Sequence, residues 1–517
     1  MDSLRRFGAI VGADLRERTR ARGFWLLMAL VAAATWWSFP PTSAKYVVLA
    51  LNGQYRALYS SAWVGMVVAM LSIWLSLLGF YLVRGTLVRD IETRVWQLLA
   101  ATPMTRAGYL LAKWCSNMAV LVLIVAASLA VALAAQWVRA EDRAIDLIEL
   151  LKPTVWIALP SLALTAAFAV WFDMLPLLRR TAGNVLYFVV WIAILAGTVP
   201  MLEAGPGGAA AGSSIGDPRG MALFQQAVLR QAAPQLAEPL HSGFCMGCGL
   251  AGRTPKTFRW TSWQVTWSAL AGRAFWLLLA LAAVAGAAPF LDRAAAHAGA
   301  TRTARAQGGG RRLAWLDLLL APLQRFGAGA LIAAETQRNL RQRPLWWWCA
   351  LLGAAGTGAF APLPAAAIAV LASWMLLLDL YSKAALHERD SRTGAIVFSA
   401  PGAGRSVLLA RWTMLAAGGC VATLPALLRF AFAAPMIALA MLAVSLSLAT
   451  WALALGAVTR NARAFELLAC CCAYIALNGA PLLNVAVAPL WTTLSHLAML
   501  PLGAALLWWG WAGLRRA

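Results

Sequence analysis

The sequence predicts an all-α polytopic membrane protein, with about twelve transmembrane helices arranged as two parallel six-helix repeats. Three observations predict this class. The 517 residues are 62% hydrophobic and only 12% charged, whereas soluble domains carry about 25% charged residues. Apolar runs of roughly 20 residues, the length that crosses a bilayer, recur along the whole chain. Two charged segments far apart in the chain also match each other residue by residue.

The chain begins with a charged, amphipathic stretch at residues 1–22, which we expect to lie as a helix at the membrane interface. It holds too many charges for a secretory signal peptide, and the apolar run 23–39 after it lacks a small-residue cleavage site. No cleavable signal is therefore expected. The predicted spans are 23–39, 62–84, 108–136, 153–176, 184–202, 264–290, 345–360, 363–382, 406–430, 433–456, 465–486 and 490–512.

The net charge of +23 would suit a protein that binds nucleic acid. The basic residues, mostly Arg, fall between apolar runs, where they act as topology signals, so we expect no nucleic acid partner. Arg is concentrated in the loops that are cytoplasmic when both termini lie inside, and the long loop 203–262 is the exception. The preference for Arg over Lys and the many Ala residues indicate a GC-rich bacterial genome. The predicted location is therefore a bacterial inner membrane, with both termini cytoplasmic.

A basic, Gly-rich run, "ATRTARAQGGGRR", lies near the middle of the chain and has no residues with which to build a core. It predicts three parts. Residues 1–291 form the first six-span repeat, residues 292–330 form a cytoplasmic linker, and residues 331–517 form the second six-span repeat.

The repeat rests on two matched segments. At a constant offset of 298 residues, "DIETRVWQLLAATPMTRAGYLLAKW" from Asp90 overlays "ERDSRTGAIVFSAPGAGRSVLLARW" from Glu388. A second match, at an offset of 321 residues, pairs Asp14 with Glu335. A bias toward Leu and Ala does not explain an acid, an Arg, a Pro and a Trp in one register, so a duplication in the same orientation is predicted. The other matched pairs include Arg94 with Arg392, Pro103 with Pro401, and Trp114 with Trp412.

These segments resemble the permease subunits of ABC transporters of the type-2 export family. In that family an acid, an Arg or Gly and a Leu-Leu-x-x-Pro precede a Tyr-Leu-Leu-x-Lys run. The first copy, "IETRVWQLLAATPMTRAGYLLAK", fits this pattern closely. The second copy fits more loosely, because Phe398 and Ser399 replace the Leu-Leu and Arg411 replaces the Lys. The resemblance covers the whole chain in architecture, and this chain looks like two fused halves.

The resemblance implies the transmembrane subunit of an ATP-driven exporter, which forms the substrate pathway. A coupling helix between the second and third spans of each half would dock into a separate ABC ATPase subunit, with two copies of that subunit bound. The docking residues would be Asp90, Glu92, Arg94, Pro103, Arg106, Glu388, Arg392, Pro401 and Arg405. Secondary cytoplasmic contacts would come from Arg179, Arg180, Arg460 and Arg463.

The chain has no phosphate-binding G-x-x-x-x-G-K-[ST] motif, and "GAGRS" at 402–406 lacks both the spacing and the Lys. We therefore expect no enzyme activity and no cofactor on this chain, with ATP and Mg held by the partner subunit. The alternatives are an ATP-independent secondary transporter with parallel repeats and a polytopic membrane enzyme, for which no catalytic constellation is found. The exported substrate stays open.

The outer loop 203–262 carries the remaining features. Its stretch "MALFQQAVLRQAAPQLAEPLH" predicts an amphipathic helix at the outer mouth of the pathway, with no counterpart in the second half. Cys245 and Cys248 favour a disulfide in an oxidising periplasm, while two free thiols or a metal site with His241 stay open. The four His residues are scattered, and "HERDS" lacks the second His of a zinc-protease helix, so no metal-dependent catalytic site is predicted.

Overall fold

The chain is a membrane-embedded, mainly helical protein, with 81% of its residues in helices. It divides into two compact units, Met1–Thr301 and Arg302–Ala517. The computed structural model describes residues 2–20, 22–41, 44, 46–51, 55–92, 104–175, 178–179, 181–203, 214–236, 244–249, 256–292, 314–341, 343–391, 393–477 and 479–516.

The described part of the first unit combines ten α-helices with four short strands. Its helices follow the apolar runs, because a backbone in hydrocarbon has to satisfy its polar groups within the same segment. The elements are α1 (Asp2–Arg20), α2 (Arg22–Trp37), β1 (Tyr46–Leu51), β2 (Tyr55–Ala57), α3 (Ser61–Val83), α4 (Thr86–Glu92), α5 (Arg106–Arg139), α6 (Leu147–Pro153), α7 (Leu159–Met174), α8 (Thr181–Glu203), α9 (Met221–Ala232), β3 (Phe244–Gly249), β4 (Lys256–Phe258) and α10 (Trp267–Gly286).

The strands form one sheet in the order β3-β1-β2-β4, built from the loops that follow α2 and α8. β1 pairs antiparallel with both β2 and β3, and β2 pairs parallel with β4. The Ser60 hydroxyl fastens the two loops together by donating to the carbonyl of Trp260, 200 residues further along the chain. Trp63 then packs on Phe224 of α9, with ring centroids 6.3 Å apart. The sheet and α9 therefore form a small cap on one end of the first helical bundle.

The second unit is helical throughout its described part. Its elements are α11 (Ala314–Leu320), α12 (Gly327–Leu340), α13 (Leu345–Phe360), α14 (Leu363–Leu376), α15 (Leu378–Lys383), α16 (His387–Ser391), α17 (Gly394–Val397), α18 (Ala403–Ala422), α19 (Leu424–Ala433), α20 (Pro435–Thr459), α21 (Ala462–Leu477) and α22 (Pro489–Arg516). Helix α11 lies inside the stretch 292–330, which was expected to be a linker.

Among the described residues, eight helical segments are long and apolar enough to cross a bilayer, or nine if the bent pair α18 and α19 counts as one span. The two helices of that pair meet at 68°. The three other predicted spans correspond to α2, α13 and α21, which have 16 residues each. A helix of that length extends about 24 Å, less than the roughly 30 Å of hydrocarbon. Every predicted span thus corresponds to a helix, while the count of twelve crossings stays a prediction.

One span begins earlier than predicted. Pro153 marks the expected start, but the helix already begins at Leu147, where the Asp146 side chain accepts hydrogen bonds from the backbone N–H groups of Ile148 (2.9 Å) and Glu149 (3.1 Å). After Pro153 the backbone widens into a π-helical turn at Thr154–Ala158 before α7 continues. Such wide turns often lie at functional sites.

Candidate functional site

A buried ion cluster in the first unit joins three of its helices. The Lys113 ammonium on α5 lies 2.9 Å from Asp14 Oδ2 on α1 and 2.6 Å from Asp90 Oδ2 on α4. Tyr109, one helical turn before Lys113, donates its hydroxyl to Asp90 Oδ2 at 2.7 Å. Only 3% of the Lys113 side chain is exposed. The cluster therefore fixes the amphipathic N-terminal helix and the end of the second span to the start of the third.

A second cluster has the same arrangement in the second unit. The Arg411 guanidinium on α18 lies 3.0 Å from Glu335 Oε1 on α12, and its Nη1 donates to Glu388 Oε2 on α16 at 2.7 Å. Its Nη2 also contacts the other oxygen of Glu388, so that pair is bidentate. Only 1% of the Arg411 side chain is exposed. Again an amphipathic helix, a loop helix and the start of a long helix meet at one cation.

The two clusters use the positions that the sequence overlay pairs. Asp14 corresponds to Glu335, Asp90 to Glu388, and Lys113 to Arg411. The chemistry differs in a consistent way. The first cluster combines short carboxylates with the compact ammonium of Lys, and the second combines longer carboxylates with the planar guanidinium of Arg, which binds carboxylates two bonds at a time.

Each cluster brings two carboxylates to one cation in a buried place, which is costly unless the charges stay paired. In the second cluster His387 adds a further polar group, with its Nδ1 3.8 Å from Glu335 Oε2, beyond hydrogen-bond distance. Burial by itself raises the pKa of Glu335, but His387 and the Arg411 charge lower it to about 2. Burial likewise raises the pKa of Glu388, and the hydrogen bonds and charge of Arg411 outweigh it and lower that pKa.

This pairing predicts an acid-sensitive second unit. The pKa of Glu335 in the folded protein lies below its ordinary value of 4.5. The ionised carboxylate therefore contributes fully to the free energy of unfolding above about pH 5, and this contribution is lost as the pH falls from about 4.5 toward 2. The loss is on the order of 3 kcal/mol. Thermal unfolding of the detergent-purified protein between pH 7 and pH 3 measures it. Glu335→Gln should flatten the low-pH part of this curve; a slope equal to that of the unchanged protein would contradict the assignment.

The predicted docking carboxylates do not face outward. Docking on a partner would need Asp90 and Glu388 on the surface, and both are buried against cations of their own unit. Arg106 is half-exposed and pairs with Asp292 at 2.5 Å, and Pro401 and Arg405 are exposed. Arg94, Pro103 and Arg392 lie outside the described residues, as does the side chain of Glu92.

The loop between Glu388 and Arg411 differs from the single charged helix that the sequence predicts. Two short helices, α16 and α17, precede a turn in which Gly402 takes the left-handed conformation (φ 75°). The loop exposes a large apolar side chain, since Ile396 is 76% exposed, and residues 393–403 carry no charge. Phe398 anchors the loop by packing on Trp511, with ring centroids 5.9 Å apart. The described tip of this loop is therefore neutral and apolar.

Of the predicted secondary contacts, Arg460 lies next to this loop. It ends α20 in a left-handed conformation (φ 54°), and its carbonyl accepts a hydrogen bond of 2.6 Å from the Arg389 side chain. Arg463 follows at the start of α21, with its backbone N–H bonded to the Asn461 side chain at 3.1 Å. In the first unit, Arg179 donates to the Asp173 carbonyl at 2.7 Å. Arg180 lies outside the described residues.

The remaining sequence predictions concern cysteines and metals. Cys245 and Cys248 lie on β3, opposite Ala50 and Val47 of β1, and their side chains are outside the described part. The six cysteines whose side chains are described are free thiols. Among the described residues, no three His, Cys, Asp or Glu side chains are grouped so that they could hold a metal ion.

The residues that hold the clusters together received no role from the sequence. The sequence pattern includes Lys113 and Arg411 in the matched segments but assigns neither a role in a site. A single cation near the start of an apolar helix is nevertheless a signal for a buried partner. No protein-family model matches the chain, and searches of curated proteins and of solved structures also find no match.

Proposed function

We propose that this chain is the transmembrane subunit of an ATP-driven ABC exporter in a bacterial inner membrane. It forms the substrate pathway, both its termini are cytoplasmic, and it couples to two separate ATPase subunits through the loops that follow the second span of each repeat. The observation that carries the proposal is the pair of matched ion clusters, each of which fixes such a loop to an amphipathic helix and to the long helix that follows the loop.

The clusters also support the duplication. Three pairs of charged residues correspond in the overlay, and each member has the same function in its own unit: one acid on the amphipathic helix, one on the loop helix, one cation on the next long helix. Duplication of one unit explains this correspondence more simply than independent evolution of the same three charged residues in the same register. A duplicated six-helix unit would count the bent pair α18 and α19 as one span and the three 16-residue helices as short spans, and so reach twelve.

The clusters give the loops a mechanical role. A partner that pushes on a loose loop moves only the loop, whereas a loop fixed to a long helix by buried ion pairs transmits the displacement into the bilayer. Asp90 and Glu388 are therefore positioning residues that fix the base of the loop. Contact with the ATPase falls to exposed side chains near the tip, including Ile396, Pro401 and Arg405. ATP and Mg would be bound by the partner, since the sequence lacks a phosphate-binding loop.

The test is association with an ATPase subunit encoded beside this gene. We expect the two proteins to co-purify and the ATPase rate to rise when the permease is present. Ile396→Asp should reduce both by about tenfold or more, because burying an unpaired carboxylate at an interface costs several kcal/mol. The matched control is Leu318→Asp on α11, a residue that is 79% exposed in the same unit. If the unchanged pair shows no association and no stimulation of the ATPase rate, the proposal is refuted.

Glu388→Lys is a poor test of docking, although the residue belongs to the predicted docking set. It would place a second cation against Arg411 inside the cluster, so a loss of association would report unfolding of the loop rather than a lost contact. Transport without any ATPase partner would instead favour the secondary transporter.

A further inference from the structure

The first unit contains a polar cleft that the proposed ATPase coupling does not use. One wall is the outward face of α9, where Leu223, Gln226, Ala227 and Arg230 follow the spacing of a single helical face. The facing wall is the segment 260–269, which leads into α10. The cleft has a volume of about 350 Å³, at the small end of the range for ligand sites.

The lining offers donors that the fold itself does not use. Gln226, Gln231 and Gln264 present primary amides, and Arg230 presents an exposed guanidinium; among the described residues, none of these four side chains has a hydrogen-bond partner. Trp260 and Trp263, both buried, give the site a rigid apolar side. Amides and a guanidinium on a rigid aromatic wall are suited to fixing the orientation of a small polar molecule.

Asp217 is the one acidic residue on the described lining of the cleft, and its carboxylate already has hydrogen-bond partners. Asp217 is 2% exposed, and its two carboxylate oxygens accept the backbone N–H groups of Met221 (3.0 Å) and Leu223 (2.9 Å) at the start of α9. It therefore satisfies the helix end rather than facing the cleft as a free carboxylate. The free charge that the cleft itself presents is positive.

Two buried arginines, Arg219 and Arg273, lie beside the cleft. Arg219 precedes Gly220, which has a left-handed backbone (φ 78°), and a Cβ on Gly220 would lie 2.8 Å from Ile157 Cγ2 and 3.2 Å from Arg273 Nη1, so a side chain does not fit there without a shift. Arg219 is 0% exposed; its Nη1 donates to Ser161 Oγ (3.1 Å) and Thr165 Oγ1 (3.0 Å).

Arg219 has no carboxylate partner among the described side chains, and its Nε and Nη2 are buried without an acceptor. Arg273 donates to the backbone carbonyl of Asp217, and Arg219 adds a second buried positive charge in a place of low dielectric constant. Such a charge projects a positive potential into the neighbouring cleft. The π-helical turn Thr154–Ala158 packs directly below, where Ile157 contacts Gly220.

We propose that this cleft binds a small organic anion, a molecule carrying one or more carboxylate or phosphate groups. Arg230 would pair with the anionic group, the three glutamines would bind its other polar atoms, and the buried arginines would supply the long-range attraction. This inference does not depend on ATPase coupling, since no residue that carries it belongs to the ion clusters or to the loops proposed to contact the ATPase.

The test is ligand binding to the full chain in uncharged-lipid nanodiscs at constant ionic strength. Succinate, citrate and inorganic phosphate are titrated and followed by calorimetry and by the thermal unfolding temperature, with neutral succinamide as the control ligand. We expect saturable binding of at least one anion, a raised unfolding temperature and no binding of succinamide. Arg230→Gln should weaken binding at least tenfold without changing the unfolding temperature of the ligand-free protein, because Arg230 is exposed.

Arg259→Gln is the matched variant, since Arg259 is also exposed and lies beside the same segment but outside the cleft. It should bind as the unchanged protein does. An equal loss in both variants would mean that the chain attracts anions only through its net charge of +23, and it would overturn the proposal. Saturable binding of succinamide, or no saturable binding of any of the three anions, would also overturn it.

Discussion

Arg411→Ala should lower the free energy of unfolding of the second unit by about 3–5 kcal/mol, because it leaves Glu335 and Glu388 buried without their shared cation. The loss combines the desolvation of two carboxylates with their mutual repulsion. Arg411→Lys should cost less, since it keeps the charge and loses only the bidentate geometry. The unfolding temperature of the purified protein, with hydrogen exchange of the segment 387–402 as the local readout, measures both.

Arg405→Ala is the control for this experiment, because Arg405 is exposed on the same helix, α18. Its effect should stay within about 0.5 kcal/mol. If Arg411→Ala were no worse than Arg405→Ala, the cluster would not hold the loop, and the mechanical role proposed for it would be wrong. The two variants also separate stability from docking, since ATPase association should fall in Arg411→Ala only as far as the loop unfolds.

Lys113→Ala should have the corresponding effect in the first unit, again a loss of about 3–5 kcal/mol. Asp14 and Asp90 would then face each other without a cation, so α1 should detach from the bundle. Increased hydrogen exchange throughout residues 2–20 is the specific readout. Limited proteolysis in the same segment gives an independent measurement of the detachment.

Asp14→Asn separates the shared-cation explanation from a general effect of disturbing a buried cluster. It removes one acid but leaves Lys113 paired with Asp90, so it should cost clearly less than Lys113→Ala. Arg106→Ala, on the same helix as Lys113, removes only an exposed ion pair and should cost about 1 kcal/mol or less. Equal effects of Lys113→Ala and Asp14→Asn would contradict the shared-cation explanation.

The sequence paired the four carboxylates of the two clusters, but not their cations, as notable positions, because charged residues are rare in this chain. A register that aligns Asp14 with Glu335 and Asp90 with Glu388 therefore carries much information. It did not indicate which way those carboxylates face. Helical spacing shows that a charged face exists, but a partner protein and a buried lysine on the next helix satisfy that face equally well.

Two structural features lay beyond the pattern of hydropathy. The apolar pattern predicts a span that starts at residue 153, but the helix begins at Leu147 and continues through Pro153. Proline removes a backbone donor, and the π-helical turn that follows accommodates the missing bond. The strands of the sheet lie in two stretches that the sequence predicts as loops. Its longest strands have six residues, and "FCMGCG" has no alternation of apolar and polar residues, so only the pairing with β1 defines β3 as a strand.

The sheet also dictates an order of events during synthesis. β1 emerges early, but its partner β3 and the Trp260 carbonyl that Ser60 binds arrive only after four more long helices have entered the membrane. Until then β1 has an open edge on which other chains can pair. Contacts between such distant residues form slowly, so closure of the sheet comes last and marks the first unit as complete. A chain stalled before residue 244 would display that edge, and cellular quality control would have a visible signal for an unfinished protein.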